Sequence, residues 1–196
     1  MTKRTTTLFA VALLASGCAF TDATLKVRYD EALAARGPLS SVEPRRVEIT
    51  PFADKRPEID KIGWKKNSYG MKTATIFSEK PVPEVVRDAL ALELAKNGHL
   101  LEPDPQVKLT GDVTEFWFHS NIGFFTIEFV GTVGITLNVV DGKTGEVVYS
   151  RAYQGNYNEK SLGGLEGTWE RVLNTALERM MHQVVTDVRL VQALKR

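Results

Sequence analysis

The chain has 196 residues, 43% of them hydrophobic and 25% charged, with 25 Lys+Arg against 24 Asp+Glu. That balance excludes the basic excess with which a nucleic-acid-binding domain meets phosphate, and the hydrophobic content is ordinary for a globular domain with a real core. A single cysteine, Cys18, excludes an intrachain disulfide framework, so packing alone must hold the fold.

The first element in chain order is a targeting pattern. Lys3 and Arg4 precede an apolar run over residues 8–14, and the small residues Ala15, Ser16 and Gly17 lead to Cys18. Such a run is far short of the roughly 20 apolar residues a spanning helix needs. It reads as a secretory signal over residues 1–17, removed on export. Leu14-Ala15-Ser16-Gly17-Cys18 resembles the lipobox of bacterial lipoproteins, with Ala15 where Leu is usual and Leu14 one place earlier. The resemblance implies a diacylglycerol on the Cys18 thiol and an N-acyl chain, palmitate in kind, on its new amino group. No cofactor is expected beyond this covalent lipid. Ala19 stands where Asp would signal retention in the inner membrane, so the resemblance implies the outer membrane, facing the periplasm. The mature chain keeps 23 basic and 24 acidic groups.

Residues 18–44 read as the lipidated terminus and a tether. Thr21, Asp22 and Thr24 are polar, a short helical piece over 29–35 ends at Gly37-Pro38, and no apolar period persists. A single periplasmic domain is expected over residues 45–196. Val47, Ile49 and Phe52 mark a first strand, and residues 54–80 one or two irregular strands around Gly63 and Gly70. Val82, Val85, Val86, Ala89, Leu90 and Leu94 form a helical stripe over 82–97, with Pro83 in the first turn and Asn97-Gly98 at the end.

The period then changes to two at Val107, Leu109, Gly111 and Val113. It breaks at Phe116-Trp117-Phe118, which predicts a bulge or burial on both faces. Phe125, Ile127, Phe129, Val133, Ile135, Leu137 and Val139 share one face of the next strand. Residues 141–145 (Asp-Gly-Lys-Thr-Gly) form a hairpin turn, and a further strand follows over about 147–157. Trp169, Val172, Leu173, Ala176, Leu177, Met180, Val184, Val188 and Val191 make the stripe of one long helix over 165–194. The order β(β)-α-β-β-β-α predicts an α+β fold: one antiparallel sheet of four to five strands packed against two amphipathic helices.

Three stretches carry a family resemblance. Residues 49–77 contain I-T-P-F-x-D-x-R, I-G and N-x-Y-G-M-x-T-A-x-I; residues 109–117 read L-T-G-D-V-T-E-F-W; and residues 145–155 read G-E-V-V-Y-S-R-x-Y-Q-G. The chain resembles the YajG-type bacterial lipoproteins over most of its length after the tether. The resemblance implies an envelope lipoprotein with a small α+β domain and transfers no catalytic residue. A looser likeness in architecture extends to TolB-like periplasmic domains and to auxiliary lipoproteins of envelope transport systems.

No nucleophile elbow, H-E-x-x-H or P-loop is present, and His99, His119 and His182 have no partner at metal-ligand spacing. Residues 161–167 form a glycine-rich approach to the last helix that could offer N–H groups to an anion, but Glu166 opposes one. Two aromatic segments are the candidate contact surfaces. Trp64, Lys65, Lys66, Tyr69 and Met71 mix aromatic and basic groups beside Gly70. Phe116, Trp117, Phe118, Phe124 and Phe125 surround a hairpin turn and mark a contact where exposed, core where buried. These features indicate a non-enzymatic, membrane-anchored lipoprotein that binds an envelope protein or assists an assembly; the alternatives are a periplasmic binding module for a small lipid or glycan and an auxiliary lipoprotein of an envelope transport system. The expected partners are the membrane, through the lipid, and an envelope protein, with no nucleic acid; a homo-oligomer is compatible with the sequence.

Overall fold

The computed structural model describes residues 20–34, 36–102 and 104–195, so the signal segment and Cys18 lie outside the described residues. The fold is α+β, as the periodicities imply, but its sheet is larger than expected and mixed. Nine strands contribute: β1 (Ala23–Leu25), β2 (Arg46–Ile49), β3 (Ala53–Asp54), β4 (Gly63–Lys66), β5 (Lys72–Ser78), β6 (Leu100–Leu101), β7 (Val107–Ile122), β8 (Ile127–Asp141) and β9 (Val147–Ser161).

The long antiparallel meander β7–β8–β9 is the frame. β7 pairs with β8 from Val107↔Asp141 to Ile122↔Ile127, and β8 pairs with β9 from Ile127↔Ser161 onward. The other edge of β7 is filled in sequence by parallel β2, β3 and β4, through Val47↔Val107, Ala53↔Asp112 and Gly63↔Phe118. β4 then pairs antiparallel with β5, and β5 parallel with β1. The expectation of four to five antiparallel strands fails for a physical reason. The added strands are two to seven residues long, too short for a period to count, and their parallel pairings join distant segments.

The break near Phe116 is a bulge. Register shifts between Val113 and Glu115, so Val113 on one side of Thr114 and Phe116 and Phe118 on the other all face the core. Three helices cover that face: α1 (Val82–Lys96), α2 (Glu166–Thr186) and α3 (Val188–Leu194). α2 lies close on the meander because Gly131 and Gly155 carry no side chain. A Cβ at Gly155 would sit 2.0 Å from the Ala176 carbonyl oxygen, and one at Gly131 2.9 Å from that of Val172.

The single helix expected over 165–194 is two helices broken at Asp187, whose ψ of 108° is extended. Its Oδ1 accepts the Arg189 N–H at 2.8 Å. Its Oδ2 accepts from the Tyr149 hydroxyl at 2.5 Å, the Tyr153 hydroxyl at 2.7 Å and Arg151 Nη1 at 2.8 Å. Asp187 falls on the apolar side of the stripe, three residues after Val184 and seven after Met180, and the period resumes at Val188 and Val191, so the pattern itself conceals the break.

The tether reading is also corrected for its described part. β1 extends the sheet through Ala23↔Ile76, and Leu25, Val27, Leu39 and Val42 are buried in the core. The Lys26 N–H donates to Glu170 Oε1 at 2.8 Å, the Arg28 N–H to Asn174 Oδ1 at 3.0 Å, and the Tyr29 hydroxyl to Glu93 on α1. Residues 23–34 and 36–42 are therefore a strap across α2 and α1. Its apolar residues show no period because each meets a surface built by a distant segment.

Candidate functional site

Two turns stand at one end of the meander. In the turn between β4 and β5, Asn67 Oδ1 accepts the N–H groups of Tyr69 and Met71 at 3.0 and 3.1 Å, and Gly70 takes φ +78°. Asn and Gly are thus set by turn stereochemistry, whereas Tyr69 and Met71 are exposed with no packing role. In the turn between β7 and β8 the Gly123 N–H donates to the Thr126 carbonyl at 2.9 Å. It presents Phe124 and Phe125 to solvent, edge to face at 4.7 Å.

Beneath these turns, a groove of about 620 Å³ runs between β4–β5, the adjoining ends of β7 and β8, and residues 164–167 at the start of α2. Its floor is aromatic. Phe118 lies 5.4 Å from Trp169 and 6.0 Å from Phe129, ring to ring. Trp64, Lys65, Lys66 and Leu165 line its sides. Lys65 Nζ is 3.4 Å from Glu166 Oε1 and 5.6 Å from the centre of the Trp169 ring. Lys66 Nζ donates to the Ser120 carbonyl at 2.7 Å, and Lys72 Nζ stands 4.7 Å over Trp64. The indole Nε1 atoms of Trp64 and Trp169 are buried with no acceptor among the described residues. A buried donor left unpaired costs about 1–3 kcal/mol. The groove therefore offers an apolar bed and two cations.

The sequence candidates divide accordingly. Trp64, Lys65 and Lys66 line the groove, and Tyr69, Met71 and Phe124 project from the turns above it. Phe116 is core at 1% exposure and is corrected from contact residue to packing residue. Phe118 is equally buried and serves as floor. Trp117 alternates to the other face, beside Arg56, Pro57 and Glu58. Leu165 and Trp169 were not among the candidates. Each sits where the final helix begins and reads as part of its stripe; only the sheet end opposite makes them groove residues. Glu166, paired with Lys65, places a carboxylate at the helix start and leaves no anion site there.

The family motifs outside these turns are structural. Arg56, buried, forms a 2.8 Å pair with Asp54 and donates to the Ile59 and Lys61 carbonyls at 2.9 Å, pinning the loop before β4. Tyr149, Arg151 and Tyr153 converge on Asp187. Burial opposes ionisation of Asp187, but the two tyrosine hydroxyls, the Arg189 amide and Arg151 outweigh it and hold its carboxyl down at about 2. The histidines are scattered: His99 is buried and accepts the Arg45 N–H at 3.3 Å, while burial lowers the pKa of His99 and His119. Among the described residues no three His, Cys, Asp or Glu gather as a metal site, and no helix is long and apolar enough to cross a membrane.

The family model described as uncharacterised lipoprotein matches residues 45–195, and the chain belongs to this family, the YajG-type lipoproteins that its motifs resemble. No curated protein sequence matches. Protein XCC0632 of Xanthomonas campestris is similar in structure, with a TM-score of 0.60 at 12% identity, over 84% of this chain and 92% of that one. That likeness shows the fold alone. Weaker likenesses link the chain to a PelC dodecamer from Paraburkholderia phytofirmans (TM-score 0.39, 17% identity, 71% and 90% covered) and to lipoprotein GNA1162 of Neisseria meningitidis (0.30, 13%, 71% and 99%).

Proposed function

We propose that this lipoprotein is a non-enzymatic binding component of the cell envelope, held on the periplasmic face of the outer membrane by acyl chains on Cys18. Its groove takes a small amphipathic ligand of the lipid or glycan class. The groove itself carries the reading. Its volume of about 620 Å³ lies in the range of small-ligand sites, roughly 300–1,000 Å³, and its aromatic lining with few polar groups is what such sites use. An apolar tail would lie on Phe118, Phe129 and Trp169, and a polar or acidic head would meet Lys65 and Lys66. The reading assigns no catalytic residue and no metal or organic cofactor.

Native mass spectrometry of the Cys18→Ser chain, incubated with envelope lipid and glycan extracts, tests it. A bound adduct in the parent chain, lost in the folded Trp64→Ala and Lys65→Ala variants, supports it. Absence of any adduct, or equal retention by the variants, sinks it.

A second reading, partner assembly, rests on β9. Among the described residues this strand of 15 residues pairs only with β8, and apart from the Gln154 and Asn156 carbonyls, which accept from Gln183 and Arg179 of α2, its other backbone edge can take a strand from a partner or a second copy. In-cell crosslinking and pull-down, comparing the anchored chain with Cys18→Ser, tests this reading.

A further inference from the structure

We infer that the end of the domain carrying the two apolar turns is a membrane-docking surface, seated against the bilayer that holds the anchor. The inference rests on the lipidation of Cys18 proposed above.

The first observation is a segregation of exposed apolar groups. Thirteen large apolar side chains are exposed among the described residues, and the six most exposed are Phe20, Tyr69, Phe124, Phe125, Leu162 and Leu165, at 70 to 93%. Register places all six at one end. Phe124 and Phe125 cap the β7–β8 hairpin beyond Ile122↔Ile127, and Leu162 follows β9 beyond Ile127↔Ser161. Leu165 precedes α2 and lines the groove that these strands share with β4. β4 runs parallel to β7 from Gly63↔Phe118, so the turn bearing Tyr69 projects the same way. Apolar patches of this kind on a soluble domain mark a contact surface.

The second observation is independent and names the occupant. β1 is parallel to β5, with Ala23 opposite Ile76, and Asp22 Oδ1 accepts the Thr75 N–H at 2.7 Å. Followed backwards, the chain runs toward the start of β5 at Lys72, the side on which the Tyr69 turn lies. Phe20 is thus at the apolar end, and Cys18 precedes it by two residues, a reach of at most about 7 Å. The strap that follows is built into the domain, so no long linker separates anchor from fold. An acylated Cys18 this near the turns brings the headgroup region to them. Phe, Tyr and Leu suit that region, where an apolar body enters the acyl boundary. Lys66, Lys72 and Lys160 stand at the same end for lipid phosphates, against Glu128 and Glu166.

The test uses the acylated mature chain in vesicles of phosphatidylethanolamine and phosphatidylglycerol. Cys18 is blocked by its lipid, so a cysteine introduced by Phe124→Cys, Leu165→Cys or, at the opposite turn, Thr144→Cys takes an environment-sensitive dye alone. The expected result is a several-fold rise in emission at positions 124 and 165 with quenching by shallow doxyl lipids, and neither change at 144. Vesicle-bound chains whose dyes at 124 and 165 stay as aqueous as that at 144 overturn the docking surface while leaving the anchor intact, and would turn attention to a protein covering that end. Chains that show no acyl mass at Cys18 and fail to float with vesicles overturn the anchor, and the orientation with it.

Discussion

The same meander ends in two very different turns. Between β8 and β9 the chain reads Asp141-Gly142-Lys143-Thr144-Gly145, and almost every residue answers to local stereochemistry. Asp141 Oδ1 accepts the N–H groups of Lys143 and Thr144 at 2.9 and 2.7 Å, the Gly145 N–H returns to the Asp141 carbonyl, and Gly145 takes φ +75°. Between β7 and β8 the turn is closed by the bond from the Gly123 N–H to the Thr126 carbonyl, and it presents two adjacent, exposed phenylalanines that meet edge to face. Geometry accounts for the first turn and leaves the phenylalanines of the second unexplained. The polar end is locked by Asp187 and its tyrosines; the apolar end is open, grooved and next to the proposed anchor.

Substitutions can sharpen this contrast, each read by urea unfolding of the Cys18→Ser chain. The largest effect is expected at the groove floor. Phe118→Ala removes a buried ring from under the open end and should cost about 4 kcal/mol, as well as any groove ligand. Next comes the lock at the polar end. Asp187→Asn leaves Arg151 and two tyrosine hydroxyls without their ionised acceptor and should cost about 3 kcal/mol. The carboxyl of Asp187 is held below its ordinary value of 3.8, at about 2. A depressed pKa in the folded state stabilises above the ordinary value and loses that contribution as pH falls, here from about 4 toward 2. The parent chain should lose stability across that window more steeply than Asp187→Asn. A smaller loss is expected for Asp141→Ala, seen as a lower unfolding midpoint with unchanged slope. Smallest of all, Phe124→Ser with Phe125→Ser should shift stability by less than about 0.5 kcal/mol. A loss as large as that of Phe118→Ala would make those rings core and abolish the contrast between the turns.

Much of the architecture was legible wherever a period could run. The stripe from Val82 to Leu94 and the alternation from Phe129 to Val139 gave α1 and β8, because a helix or strand buried on one face repeats its apolar residues over many turns. The hairpin at Asp141 was legible because Asp and Gly solve a local backbone problem. The break at Phe116 announced a bulge, and Thr114 is its extra residue. Two- and three-residue strands such as β1, β3 and β6 have no period to read, and Asp187 breaks a helix by bonds to a strand 34 to 38 residues away.

The candidate site followed the same division. Trp64, Lys65, Lys66, Tyr69, Met71 and Phe124 were visible as aromatic and basic residues beside turn-forming ones, but composition could not tell Phe124 from Phe116. Burial separated them, and burial depends on where α2 crosses the sheet. Trp169 and Leu165 became groove residues only when β4 was laid along β7.

By itself, then, the sequence determined the helix and strand patterns, the Asp141 turn, the motifs of a lipoprotein family and the expectation of an anchor at Cys18. Each is a local or periodic property that one stretch of chain carries alone. Tertiary structure decided the mixed sheet, the strap made from an expected tether, and the gathering of Phe20, Tyr69, Phe124 and Leu165 at one end. These depend on pairings between segments tens of residues apart, whose partner surfaces exist only once the chain has folded.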